Sequence, residues 1–231
     1  MSRLASFKGP STPTSSPVRA GHQSVPASPS RSSESTYHRK VRTLLQDMAS
    51  TADTWDDIVL IDGLKAARGL VDTRTDLDNE LATLSSKTLP TYHVVGPKLS
   101  VMENRILDLD NVLLKLKKQF QKMNNIVDSL EALLAEAHKT KGWKWAQEPL
   151  WATWSLEKFA CSLPDILIPY HRSLDMHSDI VNTLRSHSVT FEASREAIAM
   201  WAAQPYLEDG SWEAHWEDLC TVEIDRWDGP K

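Results

Sequence analysis

The sequence predicts an all-α protein, with long coiled-coil helices in a hairpin or bundle and a disordered N-terminal tail. Three observations carry that reading. Leu99, Met102, Ile106, Leu109, Leu113, Leu116, Phe120, Met123, Val127, Leu130, Leu134 and Ala137 recur in steps of three and four with no charged or amide residue interrupting the series. Only 8 Gly and 4 Phe occur among 231 residues otherwise rich in Leu, Ala, Glu and Lys, a composition that suits helices better than sheets. The first 35 residues hold eleven Ser, five Pro and one acid, Glu34, with too few large apolar side chains to offset the entropy of ordering.

A 3.5-residue repeat holds one apolar seam against one neighbour, so the long series needs a partner helix from this chain or another. Left in water, it would forgo about 1.5 kcal/mol per large side chain, on the order of 15 kcal/mol in all. Leu109, Leu113, Leu116, Phe120, Met123 and Val127, at its centre, are candidate partner-binding residues. The seam helix is expected over 98–140, with Pro97 suiting a first helical position and Gly142 a C-terminal cap.

The other elements follow in order. Residues 1–35 form the tail. Ser16-Pro17-Val18-Arg19 and Ser28-Pro29-Ser30-Arg31 carry the Ser-Pro-x-basic pattern of proline-directed, cyclin-dependent kinase substrates, which makes Ser16 and Ser28 candidate phosphorylation sites. The helical domain, 36–231, opens with a helix over 37–86, where Val41, Leu45, Met48, Ala52, Trp55 and Val59 step by three and four while Gly63 and Gly69 weaken the middle. Residues 87–97 read as a break. Four Trp crowd residues 143–154, an arrangement that pins a loop to a helical core or serves as an aromatic hot spot, with Trp151 and Trp154 the candidates. Ser155 caps a third helix, 155–187, in which Pro164 and Pro169 should cause kinks or a short break. Thr190 opens a fourth, 190–204, and Ser211 a fifth, 211–227.

Composition also limits function. A net charge of −5 gives no reason to expect nucleic acid or an anionic membrane as main ligand, and Lys115, Lys117 and Lys118 read as a solvated face. Cys161 and Cys220 are too few for a disulfide framework and sit at helical spacing among apolar residues, as buried thiols do. No Walker loop, Gly-x-Ser-x-Gly or His-Glu-x-x-His occurs. His171 and Asp175 share a helix face but lack a third ligand, and His177 lies on an apolar seam as a packed residue. Neither an enzyme, nor a metal, nor a cofactor is expected.

The order Thr140-Lys141-Gly142, then Pro149-Leu150-Trp151-Ala152-Thr153-Trp154, then Tyr170 with its helix, then Met200-Trp201-Ala202-Ala203-Gln204-Pro205-Tyr206-Leu207-Glu208 resembles the cyclin-dependent kinase 2-interacting protein family. The likeness spans roughly 38–220. This chain departs from the family in its longer Ser/Pro tail and in Pro164 and Pro169. The resemblance implies a small non-catalytic nuclear adaptor with cyclin-dependent kinase and checkpoint links. It also implies an accessory subunit of an AAA+ ATPase complex in ribosome biogenesis, DNA replication and genome maintenance, paired there with another small helical protein. Trp201, Gln204, Pro205 and Tyr206 become candidate contacts, with Tyr206 expected to pack on Trp201. A structural coiled-coil subunit of a spindle or kinetochore assembly is the alternative.

Overall fold

A computed structural model describes residues 34–83 and 92–208, all of the described elements being helical. The chain divides between Ser33 and Glu34, two residues before the expected boundary. Glu34 belongs with the helices because its carboxylate pairs with the Arg42 guanidinium and accepts from Trp151 Nε1 at 3.4 Å. Ser16, Ser28, Cys220 and the expected helix at 211–227 lie outside the described residues.

Helix α1 (Thr36–Asp57) runs into one π-helical stretch (Ile58–Gly63) and on into α2 (Leu64–Thr83), so the expected first helix is continuous over its described part but changes pitch near Gly63. Helix α3 spans Tyr92–Thr140, 49 residues and about 70 Å at the α-helical rise. It begins six residues before the expected start, and Pro97 lies inside it rather than at its first position. This close to the N-terminus proline forfeits a single backbone bond. Gly96, having no Cβ, removes much of the clash that normally bars the residue before proline from helix. At the other end Gly142 closes the helix at φ 88°, with its N–H and that of Lys141 both donating to the Ala137 carbonyl, at 3.2 and 2.8 Å.

After the short α4 (Trp143–Gln147) the loop returns to α5 (Leu156–Ser162), capped by Ser155 Oγ, which accepts from Lys158 N–H at 3.2 Å. A 3₁₀ turn, Leu163–Ile166, carries Pro164 and joins α5 to α6 (Leu167–Arg185), the short break expected at Pro164, whereas Pro169 lies in the first turn of α6 and does not interrupt it. Helix α7 (Phe191–Ala203) is capped by Thr190 Oγ1, which accepts from Ala193 N–H, and the single turn α8 (Pro205–Glu208) follows.

Contacts between elements fix their directions. Tyr37 at the start of α1 reaches Thr140 at the end of α3, Lys115 reaches Asp62, and Lys98 reaches Glu80, so α1–α2 and α3 are antiparallel. Arg185 pairs with Asp110 while His171 meets Phe120, so α6 is antiparallel to α3 as well. Helix α7 then lies along α2 and α6, with Ser194 beside Arg74 and Trp201 beside Val59. The described residues form an antiparallel bundle whose core runs from Tyr37 to Leu207. Buried Arg74 fastens two of its helices, donating to the Leu184 carbonyl at the end of α6 (2.7 Å) and to Ser194 Oγ of α7 (3.4 Å). Cys161, expected to be buried, is exposed, because the turn of α5 that carries it directs Phe159 and Ala160 inward instead.

Candidate functional site

The α3 seam is closed by its own chain. Leu109, Leu116, Met123 and Val127 are buried against the neighbouring helices, while Leu113 and Phe120 are half-buried and pack on the same core. The sequence left open whether the partner helix was internal, and α1, α2 and α6 supply it. As a docking face these six residues would need α3 to separate from the bundle.

The tryptophan-rich loop splits in the same way. Trp154 is buried and tilts onto Phe159 at 5.2 Å between centroids, with Lys158 Nζ 4.0 Å above its ring. Trp145 packs on Tyr37 at 5.0 Å. Trp151 is a half-buried strap across the start of α1: its edge meets His38 and Phe159, and the Arg42 guanidinium sits 5.7 Å over its ring. His38 Nε2 bonds the Leu150 carbonyl at 2.6 Å and completes the strap. Trp143 is exposed and stacks on His138 at 5.0 Å. The loop pins itself to the core, and Trp154 is part of that core rather than a contact surface.

Trp201 and Gln204 form the most specific polar arrangement in the bundle. The π-helical stretch leaves the Val59 carbonyl able to accept twice, from Leu64 N–H and from Trp201 Nε1 at 3.0 Å. The indole fills the space above Gly63, where a Cβ would lie 2.3 Å from Trp201 Cζ2. Its face receives His177, 4.4 Å away and near perpendicular. Gln204, pushed out of the helix by Pro205, adopts φ 41°, ψ 55° and turns its amide inward. The amide accepts from Trp55 Nε1 at 3.2 Å and donates to Asp56 Oδ1 at 3.1 Å. Burial holds the Asp56 carboxyl above the usual range, partly opposed by that donated bond. Pro205 is half-buried at the start of α8. Tyr206 does not stack on Trp201 as expected: the left-handed turn directs Leu207 into the core, its N–H donating to the Gln204 carbonyl at 2.8 Å, and leaves Tyr206 exposed. These residues lock the fold, and their side chains are turned inward except for Tyr206.

His177 is wholly buried; its Nδ1 donates to the Ser173 carbonyl at 2.6 Å while Nε2 has no hydrogen-bond partner. Burial pushes its pKa down, against a smaller opposing effect of the Ser173 bond. The folded state therefore binds a proton less readily than the unfolded one. Its stabilising contribution is fully present above the unfolded value of about 6.5 and is lost as pH falls toward the folded value. Urea midpoints measured from about pH 8 to about pH 5.5 should fall, and His177→Asn, which keeps a donor near Nδ1, should flatten that part of the profile. An equal acid loss in the variant would assign it to other groups.

The aliphatic side chains exposed on the π-helical stretch and on the outer face of α3 were not legible as a site in the sequence. Leu60 and Ile61 project from the π-helical stretch, and Leu107 and Leu114 from the outer face of α3, with Ile61 61% and Leu114 62% exposed. Leu107, Asn111, Leu114 and Lys118 form one stripe along α3 at i, i+4, i+7 and i+11. Beside that stripe an open groove of about 580 Å³ is lined by Asp62, Lys65, Arg105, Asp108, Leu114, Lys115 and Lys118 among others. Asp62 pairs with Lys115 at 2.7 Å and Asp108 with Arg105 at 3.1 Å, which leaves two cations in excess. An available signal was that Leu107 and Leu114 are apolar yet fall off the seam. Such a surface binds by burying aliphatic side chains beside charge pairs.

The His171–Asp175 pair is 3.2 Å apart and exposed, and among the described residues no group of three His, Cys, Asp or Glu side chains could hold a metal. No helix of the described residues is long and apolar enough to cross a membrane. Comparison with family models finds no match to this chain, and comparison with curated proteins finds none either.

Proposed function

We propose that the protein is a non-catalytic adaptor that works by docking. Its partners would be those of the family it resembles: an AAA+ ATPase with a second small helical protein, and a cyclin-dependent kinase. The setting would be the nucleus, in ribosome biogenesis or in DNA replication and genome maintenance. One observation carries the docking part of this reading. Leu114 stands exposed in the lining of the α2–α3 groove, with Leu107 two turns before it on the same face of α3 and Leu60 and Ile61 exposed on the π-helical stretch, in a bundle that has already closed its long seam. The Thr-Trp loop and the Met-Trp-x-x-Gln-Pro-Tyr segment support the choice of partners through the resemblance alone.

Affinity purification of the tagged full-length chain from its own cells, with mass spectrometry of what co-purifies, tests the reading. Recovery of an AAA+ ATPase together with a small helical protein is the expected result. Recovery of spindle or kinetochore subunits alone would overturn it.

A further inference from the structure

We propose that the groove between the π-helical stretch with α2 and the outer face of α3 is a docking site for one amphipathic helix of a partner protein, acidic along its flanks. The proposal rests on the docking reading above and adds the place and the chemistry of the contact.

The shape of the surface selects a helix. Leu107 and Leu114 are separated by seven residues, two turns of α3, and both are well exposed. A facing helix with apolar residues at i, i+3, i+4 and i+7 would lay its stripe along them. Both walls of the groove are helical, with their backbone N–H and C=O groups bonded within the helices, so no strand edge is offered for an extended peptide.

Charge selects the flanks. Four cations line the groove, Lys65, Arg105, Lys115 and Lys118, against two carboxylates that are already held by Lys115 and Arg105. Lys65 on the α2 wall and Lys118, which continues the α3 stripe beyond Leu114, thus supply the two cations in excess beside the aliphatic side chains, on a chain whose overall charge is −5. Glutamates beside the apolar stripe of a docked helix would meet these lysines. The same cations could attract nucleic acid, but the intervening leucines and the two interleaved carboxylates favour a protein helix.

The test uses full-length protein and a fluorescein-labelled helical peptide of about 18 residues, with Leu at i, i+3, i+4 and i+7 and Glu on both flanks. Anisotropy titration should show saturable binding at one site. Lys65→Glu/Lys118→Glu should weaken it roughly tenfold or more, and Leu114→Ser several-fold, whereas Lys144→Glu on α4 should leave it unchanged. Replacing the peptide's Glu by Lys should weaken binding by a similar factor. Circular dichroism of each variant should match the parent, since every substituted residue is exposed. Absence of saturable binding, equal binding of the Lys peptide, or preference for an RNA oligonucleotide of similar length would overturn the proposal. Co-purification repeated with the Lys65→Glu/Lys118→Glu variant separates the two readings. If the ATPase is retained by that variant, the groove proposal fails while the adaptor reading stands. If the unaltered chain does not recover the ATPase, the adaptor reading fails whatever the peptide does.

Discussion

Leu116→Glu should unfold the protein, while Leu114→Glu, two residues away on the same helix, should scarcely change its stability. Leu116 is 0% exposed on the inner face of α3, and Leu114 is 62% exposed on the outer face. A glutamate at 116 must either bury its charge without a partner, take up a proton, or drive α3 from its neighbours. Loss of the leucine's own burial and cavity contacts adds about 2–5 kcal/mol, and the unpaired charge adds several kcal/mol more. Against a typical total of 5–15 kcal/mol, that is enough to abolish the cooperative transition or bring its midpoint close to zero denaturant. At 114 the new carboxylate stays in water beside Lys118, with an expected change of about 0.5 kcal/mol or less. Urea unfolding followed by far-ultraviolet circular dichroism distinguishes the two. Equal effects would mean that α3 does not present these faces inward and outward.

Gly63→Val should be the most damaging substitution of any glycine in the described part. The Cβ alone would collide with the Trp201 ring, at 2.3 Å from Cζ2 and 2.9 Å from Cε2, and two further methyl groups leave the indole no place. Driving Trp201 out empties a space the size of a large side chain, at about 3–5 kcal/mol by analogy with truncating a buried aromatic. It also removes the Nε1 donor from the Val59 carbonyl and uncovers His177. The double variant Gly63→Val/Trp201→Ala makes the argument specific. If the collision is the cause, the double variant should be no less stable than Trp201→Ala by more than about 1 kcal/mol, which is strong non-additivity between touching sites. Additive losses would place the effect of Gly63 in its backbone instead.

The seam of α3 was legible because its period is a property of residues near one another in the chain. The caps at Ser155 and Thr190 were legible for the same reason, as were the break at Pro164 and the stop at Gly142. Each needs only four or five neighbouring residues to be recognised. What escaped the sequence depends on residues far apart. Gly63 reads as a helix weakness until Trp201, well over a hundred positions away, is placed upon it. Gln204 reads as a residue displaced by Pro205, yet its amide joins Trp55 to Asp56. Pro97 misled because proline marks a helix start more often than an early interior position, and Gly96 made the exception affordable. Leu107 and Leu114 are apolar and off the seam, but two residues do not make a periodic pattern.

The π-helical stretch has a consequence for the chain's tolerance of change in length. One extra residue per turn over Ile58–Gly63 rotates everything downstream relative to a regular helix, so one unbroken backbone presents α1 and α2 in different azimuthal phase. Returning the stretch to ordinary pitch at unchanged length would swing α2 by about 100° about its axis, carrying Leu70 and Leu77 off α3 and turning charged side chains inward, whereas losing one residue as the pitch returns to ordinary would leave α2 in its present phase. Pitch and residue number are therefore coupled in this segment: one can change only if the other changes with it. Its length is a phase setting, and the helices on either side are tuned to it.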